Sequence, residues 1–117
     1  MGATTLAEGL GSLVGEPLTS VVFVHDYSQI TFHRGTISLY SRVELTDAIG
    51  SIPGGGAGYR DRLCELIGRL LVSVRVDAQS VSLTFESAIS LRISLALEDR
   101  SGPEAAEFRL GAGWWVA

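Results

Sequence analysis

The stretch LVGEPLTSVVFV (residues 13–24) has a near echo in LIGRLLVSVRV (residues 66–76). Sliding the chain by the distance from Gly15 to Gly68 aligns Leu13-Val14-Gly15 with Leu66-Ile67-Gly68, Leu18 with Leu71, Ser20 with Ser73, Val21 with Val74 and Phe23 with Val76. Further on, Ile30-Thr31-Phe32 meets Leu83-Thr84-Phe85. Past the Phe the register slips by one, so that Ile37 and Leu39 correspond to Ile89 and Leu91. Two copies are too few for a solenoid, so the pattern predicts a pseudo-two-fold domain.

The glycines explain why the phrase recurs. Upstream of Gly15, Thr5-Leu-Ala-Glu8 has the form of a capping box ahead of Leu6, Leu10, Leu13 and Val14. Upstream of Gly68, Tyr59, Leu63, Leu66 and Ile67 fall at helical spacing, with Asp61 in the first turn. Each Gly stands where a helix needs a left-handed residue to stop. Period-two alternation follows. Val72, Val74 and Val76 take one face, then Val81, Leu83 and Phe85, then Ile89, Leu91, Ile93, Leu95 and Leu97, with Ser, Thr and charged residues between. Such alternation predicts an antiparallel sheet with one wet face.

The expected fold is therefore α+β: mainly antiparallel sheet from a duplicated helix-plus-three-strand unit (4–46 and 57–98), closed by a C-terminal hairpin (99–117). First-copy strands are expected near 18–25, 28–33 and 36–46, the last broken near Ser41. SIPGGGAG (51–58) reads as a linker, and AEFRL…WWVA as the final hairpin.

At 117 residues the chain is expected to be a single domain, 1–117. Its 46% hydrophobic and 19% charged residues suit a globular protein. No apolar run reaches the ~18 residues of a membrane span, so no membrane partner is expected. MGATTLAEGL lacks the basic residue and apolar core of a secretory signal, and Leu6 stands where a myristoylation motif wants Ser or Thr. One cysteine, Cys64, cannot form an internal disulfide, which points to a reducing cytoplasm. The net charge of −4 argues against a nucleic-acid partner. All nine basic residues are Arg, with no Lys and no Asn, a usage that matches GC-rich bacterial coding sequence.

Chemistry-bearing motifs are sparse. Gly54-Gly55-Gly56-Ala57-Gly58 precedes a helix but fits neither the P-loop nor the dinucleotide fingerprint. Its alternative to a linker is a ligand site on Gly56, Gly58 and Arg60, in a cleft between the copies, for a small molecule or nucleotide. His25 and His33 close successive strands, which puts them at opposite ends of a hairpin. With no GxSxG elbow and no Cys near either His, neither a catalytic nor a metal site is expected, and no cofactor. A hydrolase or isomerase using His25 or His33 is the weakest reading. Cys64 is expected to be a buried thiol.

Interaction surfaces are the stronger reading. If Val21 and Phe23 face inward as Val74 and Val76 do, then Val22 and Val24 face outward where the second copy carries Arg75 and Asp77; Tyr40 should join them. The alternative buries this face under a helix or the C-terminal hairpin. Glu98, Asp99, Glu104 and Glu107 flank one turn region and form a candidate acidic docking edge for an Arg- or Lys-rich partner, the alternative being a solvated loop. Trp114 and Trp115 must point to opposite faces of a strand, and Trp115 is taken as the contact residue.

Leu66-Ile67-Gly68, Leu83-Thr84-Phe85, Gly102-Pro103-Glu104-Ala105 and the terminal Trp114-Trp115 together resemble a group of small bacterial proteins, some of them similar to immunity proteins for bacterial toxins. The resemblance covers about the last half of the chain. Where such a pattern leads one to expect Asp-Gly between strands, this chain has Ser87-Ala88. Small size, acidic charge, the lack of a site motif and the uneven outer faces lead to the expectation of a non-enzymatic module that binds a protein partner, such as a toxin, or a second copy of itself. The resemblance carries over no catalytic residue.

Overall fold

A computed structural model of the chain describes residues 5–100, 102–111 and 113–117. Residue 4, where the first copy was expected to begin, and Ser101 and Ala112, which precede and follow AEFRL in the sequence, lie outside them. The elements are α1 (Leu6–Gly11), β1 (Ser20–Val24), β2 (Tyr27–Phe32), β3 (Gly35–Leu39), β4 (Val43–Thr46), β5 (Ser51–Pro53), α2 (Tyr59–Cys64), β6 (Leu71–Val76), β7 (Ser80–Phe85), β8 (Ile89–Ser94), β9 (Ala106–Leu110) and β10 (Gly113–Val116). The α+β class with mainly antiparallel sheet is observed. The strands form two antiparallel sheets, β1-β2-β3-β9-β10 and β6-β7-β8-β4-β5.

α1 starts on a local signal, and both helices end four residues before the glycines expected to stop them. The Glu8 N–H donates to Thr5 Oγ1, and the Thr5 N–H donates to the Glu8 carboxylate, both at 3.1 Å, completing the capping box. Gly15 and Gly68 adopt φ of +93° and +92°, the left-handed conformation that lets the chain turn into a strand. Val14 and Ile67 were expected on the buried helix faces but are exposed. The helices end at Gly11 and Cys64, so the helical period no longer governs where these two point. Cys64 is exposed too: Leu63 takes the core-facing position, and the next residue on a helix turns ~100° away.

Two expectations about the chain path are corrected. Residues 36–46 are not one strand. The break near Ser41 sends β3 to the first sheet and β4 to the second. Nor is SIPGGGAG all linker: Ser51–Pro53 is β5, hydrogen-bonded to β4. Each half therefore runs helix, three strands, then a two-stranded hairpin delivered to the opposite sheet. The expected slip past the Phe also has the wrong sign. Ile30 pairs Ile37 in the first sheet and Leu83 pairs Leu91 in the second, so Leu91, not Ile89, holds the place of Ile37. The reason is that the turn Glu86-Ser87-Ala88 is one residue longer than His33-Arg34. Finally, a bulge between Leu71 and Ser73 leaves Val72 53% exposed rather than beside Val74 and Val76.

The core is one contiguous cluster fed by both sheets and both helices. Its centre is built from cross-strand rows: Val21-Ile30-Ile37-Phe108-Trp115 in the first sheet, Val74-Leu83-Leu91-Leu45-Ile52 in the second. Phe32 and Phe85 stack on each other between the sheets, with centroids 6.1 Å apart and planes within 6°. The helix exits stitch the halves reciprocally. Gly15 N–H donates to Leu71 O and Gly68 N–H to Leu18 O, both at 2.8 Å; Leu18 N–H donates to Arg69 O and Leu71 N–H to Glu16 O, at 3.1 and 2.9 Å.

Candidate functional sites: an uneven pair of sheet faces and a cleft

The outer faces of the two sheets differ in kind. On the second sheet the outward rows are Arg75-Ser82-Arg92-Glu44-Pro53 and Ser73-Thr84-Ser90-Thr46-Ser51, charged or hydroxylated nearly throughout. On the first sheet they are Val22-Gln29-Ser38-Glu107-Val116 and Ser20-Thr31-Thr36-Arg109-Trp114. Apolar side chains therefore stand at both margins of this face. Val22 and Val24 are 45% and 38% exposed on β1, and Trp114 and Val116 are 64% and 48% exposed on β10. Among the described residues neither a helix nor the C-terminal hairpin covers the face; the hairpin extends it edge-on.

Trp114 is held rather than loose. Its indole N–H donates to Glu107 Oε2 at 3.2 Å, and the Arg109 guanidinium lies 5.3 Å from its ring centroid while bonding Glu107 Oε1 at 3.2 Å. Trp115 goes the other way, into the core, half-buried beneath α1. A Cβ on Gly9 would come within 2.7 Å of its ring. The exposed Trp is thus Trp114 and not Trp115. Adjacency decided that the two must part, but which one faced inward depended on the pairing with Phe108.

Tyr40 is half-buried beside Tyr27, ring centroids 5.2 Å apart, and its backbone N–H bonds Ala105 O at 2.9 Å. It continues the outward row of Val24 and Tyr27 at the end of the sheet. The expected acidic edge is divided. Glu98 is exposed, but Asp99 accepts from Ser94 Oγ at 2.6 Å and faces Arg42 at 3.7 Å, which makes it part of the scaffold. Glu104 lies half-buried near Asp26 and Tyr40, in a separate shallow depression.

A cleft of ≈ 260 Å³ opens at the end of the first sheet where the β1–β2 turn faces the glycine segment and α2. Phe23, Tyr27, Leu39, Tyr40 and Val43 supply apolar walls; Ser28, Tyr59 and Arg60 supply polar groups; His25 and Asp26 lie at the turn. Gly54 makes the close approach possible: its N–H donates to Val43 O at 2.8 Å, and a Cβ would come within 2.7 Å of Val43 Cγ2. Arg60 stacks its guanidinium 4.8 Å from the Phe23 centroid. Among the described residues it makes no ion pair. Gly56, Gly58 and Arg60, the expected ligand residues, do come together with Gly55 and Asp61 around an adjoining hollow of ≈ 200 Å³. The six-residue α2 behind them is too short to count as an anion-binding helix end.

Tyr59 was legible only as a helix residue facing the core. It is 6% exposed, and its hydroxyl has no hydrogen-bond partner among the described residues. Burial pushes its pKa up to about 12. The neighbouring Ser28 hydroxyl works against that shift, though no bond of good geometry joins the two. A buried donor without an acceptor costs a fold about 1–3 kcal/mol. His25 and His33 lie in exposed turns at opposite ends of β2. Among the described residues no three His, Cys, Asp or Glu side chains gather as a metal site needs, and no helix is long and apolar enough to cross a membrane. No protein-family model, no curated protein and no solved structure matches the chain.

Proposed function

We propose that this protein is a non-enzymatic protein-binding module of the bacterial cytoplasm, and that its contact surface is the outer face of β1-β2-β3-β9-β10. The observation that carries this reading is the disparity between the two outer faces. One is polar nearly throughout, Pro53 and the exposed Val72 at the β6 bulge excepted; the other presents Val22, Val24, Trp114 and Val116 to solvent. A pre-positioned Trp is the residue type that most often anchors an interface, because its large area is buried at little cost in side-chain freedom.

The occupant is a second copy of the chain. Glu107 and Arg109 neutralise each other, so the face has no strong field to select a charged partner. Its apolar groups sit at both margins with the Gln29, Thr31, Thr36 and Ser38 stripe between. A two-fold axis lying in the plane of the contact sets apolar margin on apolar margin and stripe on stripe, the self-complementarity a symmetric dimer requires. The same proposal takes the halves as copies of one ancestral unit, supported by the reciprocal hydrogen bonds and by the Phe32–Phe85 stack at equivalent positions. In that light the first copy's outer face has kept, or gained, the apolar residues that the second lacks.

Light scattering up to millimolar concentration tests this. The wild type should be a dimer. Val22→Asp combined with Trp114→Ala should be a monomer with an unchanged circular dichroism spectrum and melting midpoint. A wild type that stays monomeric, or a folded variant that still dimerises, overturns the self-association. Capping of a foreign protein such as a toxin, the immunity-type alternative, then remains and would need the same face.

A further inference from the structure

Beyond the sheet face, the geometry points to the cleft at the β1–β2 turn as a binding site for a small, single-ring organic anion. Such a molecule would set its ring against the Tyr27–Tyr40 pair and its oxyanion near Arg60. A binding pocket for a drug-sized ligand usually exceeds ~300 Å³, so ≈ 260 Å³ selects a compound of one ring rather than a nucleotide. Aromatic rings line one side and Leu39 and Val43 the back, while His25, Asp26, Ser28, Ser41 and Arg60 supply polar groups, the Asp26 carboxylate lying at the turn. Arg60 is the cation at hand, and it is not committed to a carboxylate among the described residues.

Comparison of the two halves separates a built feature from an accident of packing. Aligned through Gly15 and Gly68, Tyr59 corresponds to Leu6, Ser28 to Val81 and Arg60 to Ala7. Val81 is fully buried and Leu6 packs against the core. The fold is therefore content with an aliphatic pair at this place. At the cleft, between α2 and the β1–β2 turn, it carries instead a phenol without a partner among the described residues, a hydroxyl and a guanidinium. Chain length differs in the same sense. The crossover from β3 to β4 is only Tyr40-Ser41-Arg42, whereas residues 95–105 join β8 to β9, and there Leu95 packs on the core beside the β6–β7 turn, its N–H bonded to Gln79 O at 2.8 Å. The short crossover leaves open what the long one fills. An unsatisfied polar group and an open cleft at one copy only are a local breach of folding rules of the kind that accompanies function.

A ¹⁵N–¹H NMR titration of the full chain tests the inference with benzoate and phenyl phosphate as probes, and benzyl alcohol and inorganic phosphate as controls. At least one aromatic anion should produce saturating shifts confined to the amides of Ser28, Tyr40, Gly54, Gly55, Tyr59 and Arg60. Which of the two binds more tightly distinguishes a carboxylate from a phosphate site. Arg60→Ala, at an exposed position, should weaken that binding at least tenfold while leaving the melting midpoint unchanged. Tyr59→Phe should raise the melting midpoint of the free protein and weaken the aromatic anion. No saturating shifts with either anion, inorganic phosphate binding as well as the aromatic anions, or an Arg60→Ala variant of undiminished affinity would each overturn the proposal.

Discussion

Gly11 and Gly35 look alike in the sequence, and the same substitution should move stability in opposite directions at the two. Gly11 ends α1 in a conformation open to any residue, with nothing within 4 Å of where a Cβ would stand. Gly11→Ala should stabilise by about 0.4–1 kcal/mol, because alanine loses less freedom on becoming helical. At Gly35 the Cβ would meet Leu110 Cδ2 at 2.6 Å, Arg109 O at 2.8 Å and Leu110 Cα at 3.0 Å. Two of those atoms are backbone and cannot step aside without parting β3 from β9. Gly35→Ala should cost about 1–3 kcal/mol, as overpacking does. Chemical denaturation of both variants checks the pair, and equal signs would refute the assignment of β9 beside β3. Nothing in the residues around Gly35 announces this difference. It depends on a strand that arrives from the far end of the chain.

Turns are the scale at which pH acts. Asp77 closes the β6–β7 hairpin by accepting the Gln79 and Ser80 N–H groups at 2.8 and 2.9 Å, and Asp47 closes the β4–β5 hairpin through the Ile49 and Gly50 N–H groups at 2.8 and 3.1 Å. These backbone bonds come first among the causes that hold both carboxyls below the ordinary aspartate range, with Arg62 adding to Asp47 and Arg75 to Asp77. A carboxyl with a lowered folded pKa contributes stability in full above its unfolded pKa. That contribution is lost as pH falls through the folded value. Melting midpoints should therefore decline on the acid side of pH 4–5. Asp77→Asn can still accept the two N–H bonds but cannot titrate, so its midpoint should decline less steeply over the same range; an unchanged slope would mean that the turn does not feel the charge. Both turns could be read as turns from the residues. The hairpin that Asp47 closes could not be, because Ser51-Ile52-Pro53 is a three-residue edge strand whose Pro and flanking glycines argue for loop.

At the scale of the whole molecule each half completes the other's sheet. The hairpin β4-β5 leaves the first half to pair with β8, and β9-β10 leaves the second to pair with β3. Neither sheet is whole within one half. Fragments 1–56 and 57–117 should therefore be unfolded when expressed apart. They should combine, when co-expressed, into a complex with the circular dichroism spectrum of the intact chain. A fragment that folds alone as a monomer would refute this interdependence. The same exchange accounts for the uneven outer faces: Trp114 and Val116 reach the first sheet only because the second half's hairpin is delivered there. Periodicity identified Val22 and Val24 as outward-facing but had no means of adding Trp114 to them.

The sequence by itself determined what short-range physics controls. The capping box at Thr5 and Glu8, the left-handed turns at Gly15 and Gly68, the two-residue alternation and the burial of Ile30, Phe32, Leu83 and Phe85 follow from residues within a few positions of one another. The recurrence of one residue pattern was visible as well, as far as Phe32 and Phe85. Tertiary structure decided whatever depends on distant residues coming together. The crossing of hairpins between sheets turns on a three-residue break at Tyr40-Ser41-Arg42 that carries no signal of direction. The inward turn of Trp115 depends on Phe108, and the exposure of Val72 on a bulge against Phe85. The cleft beside Tyr59 exists only because the β1–β2 turn, the glycine segment and α2 converge there. Local propensities are nearly additive and can be summed along a chain. The choice of partner strand is made by the core as a whole, where a small difference in fit outweighs any single residue's preference.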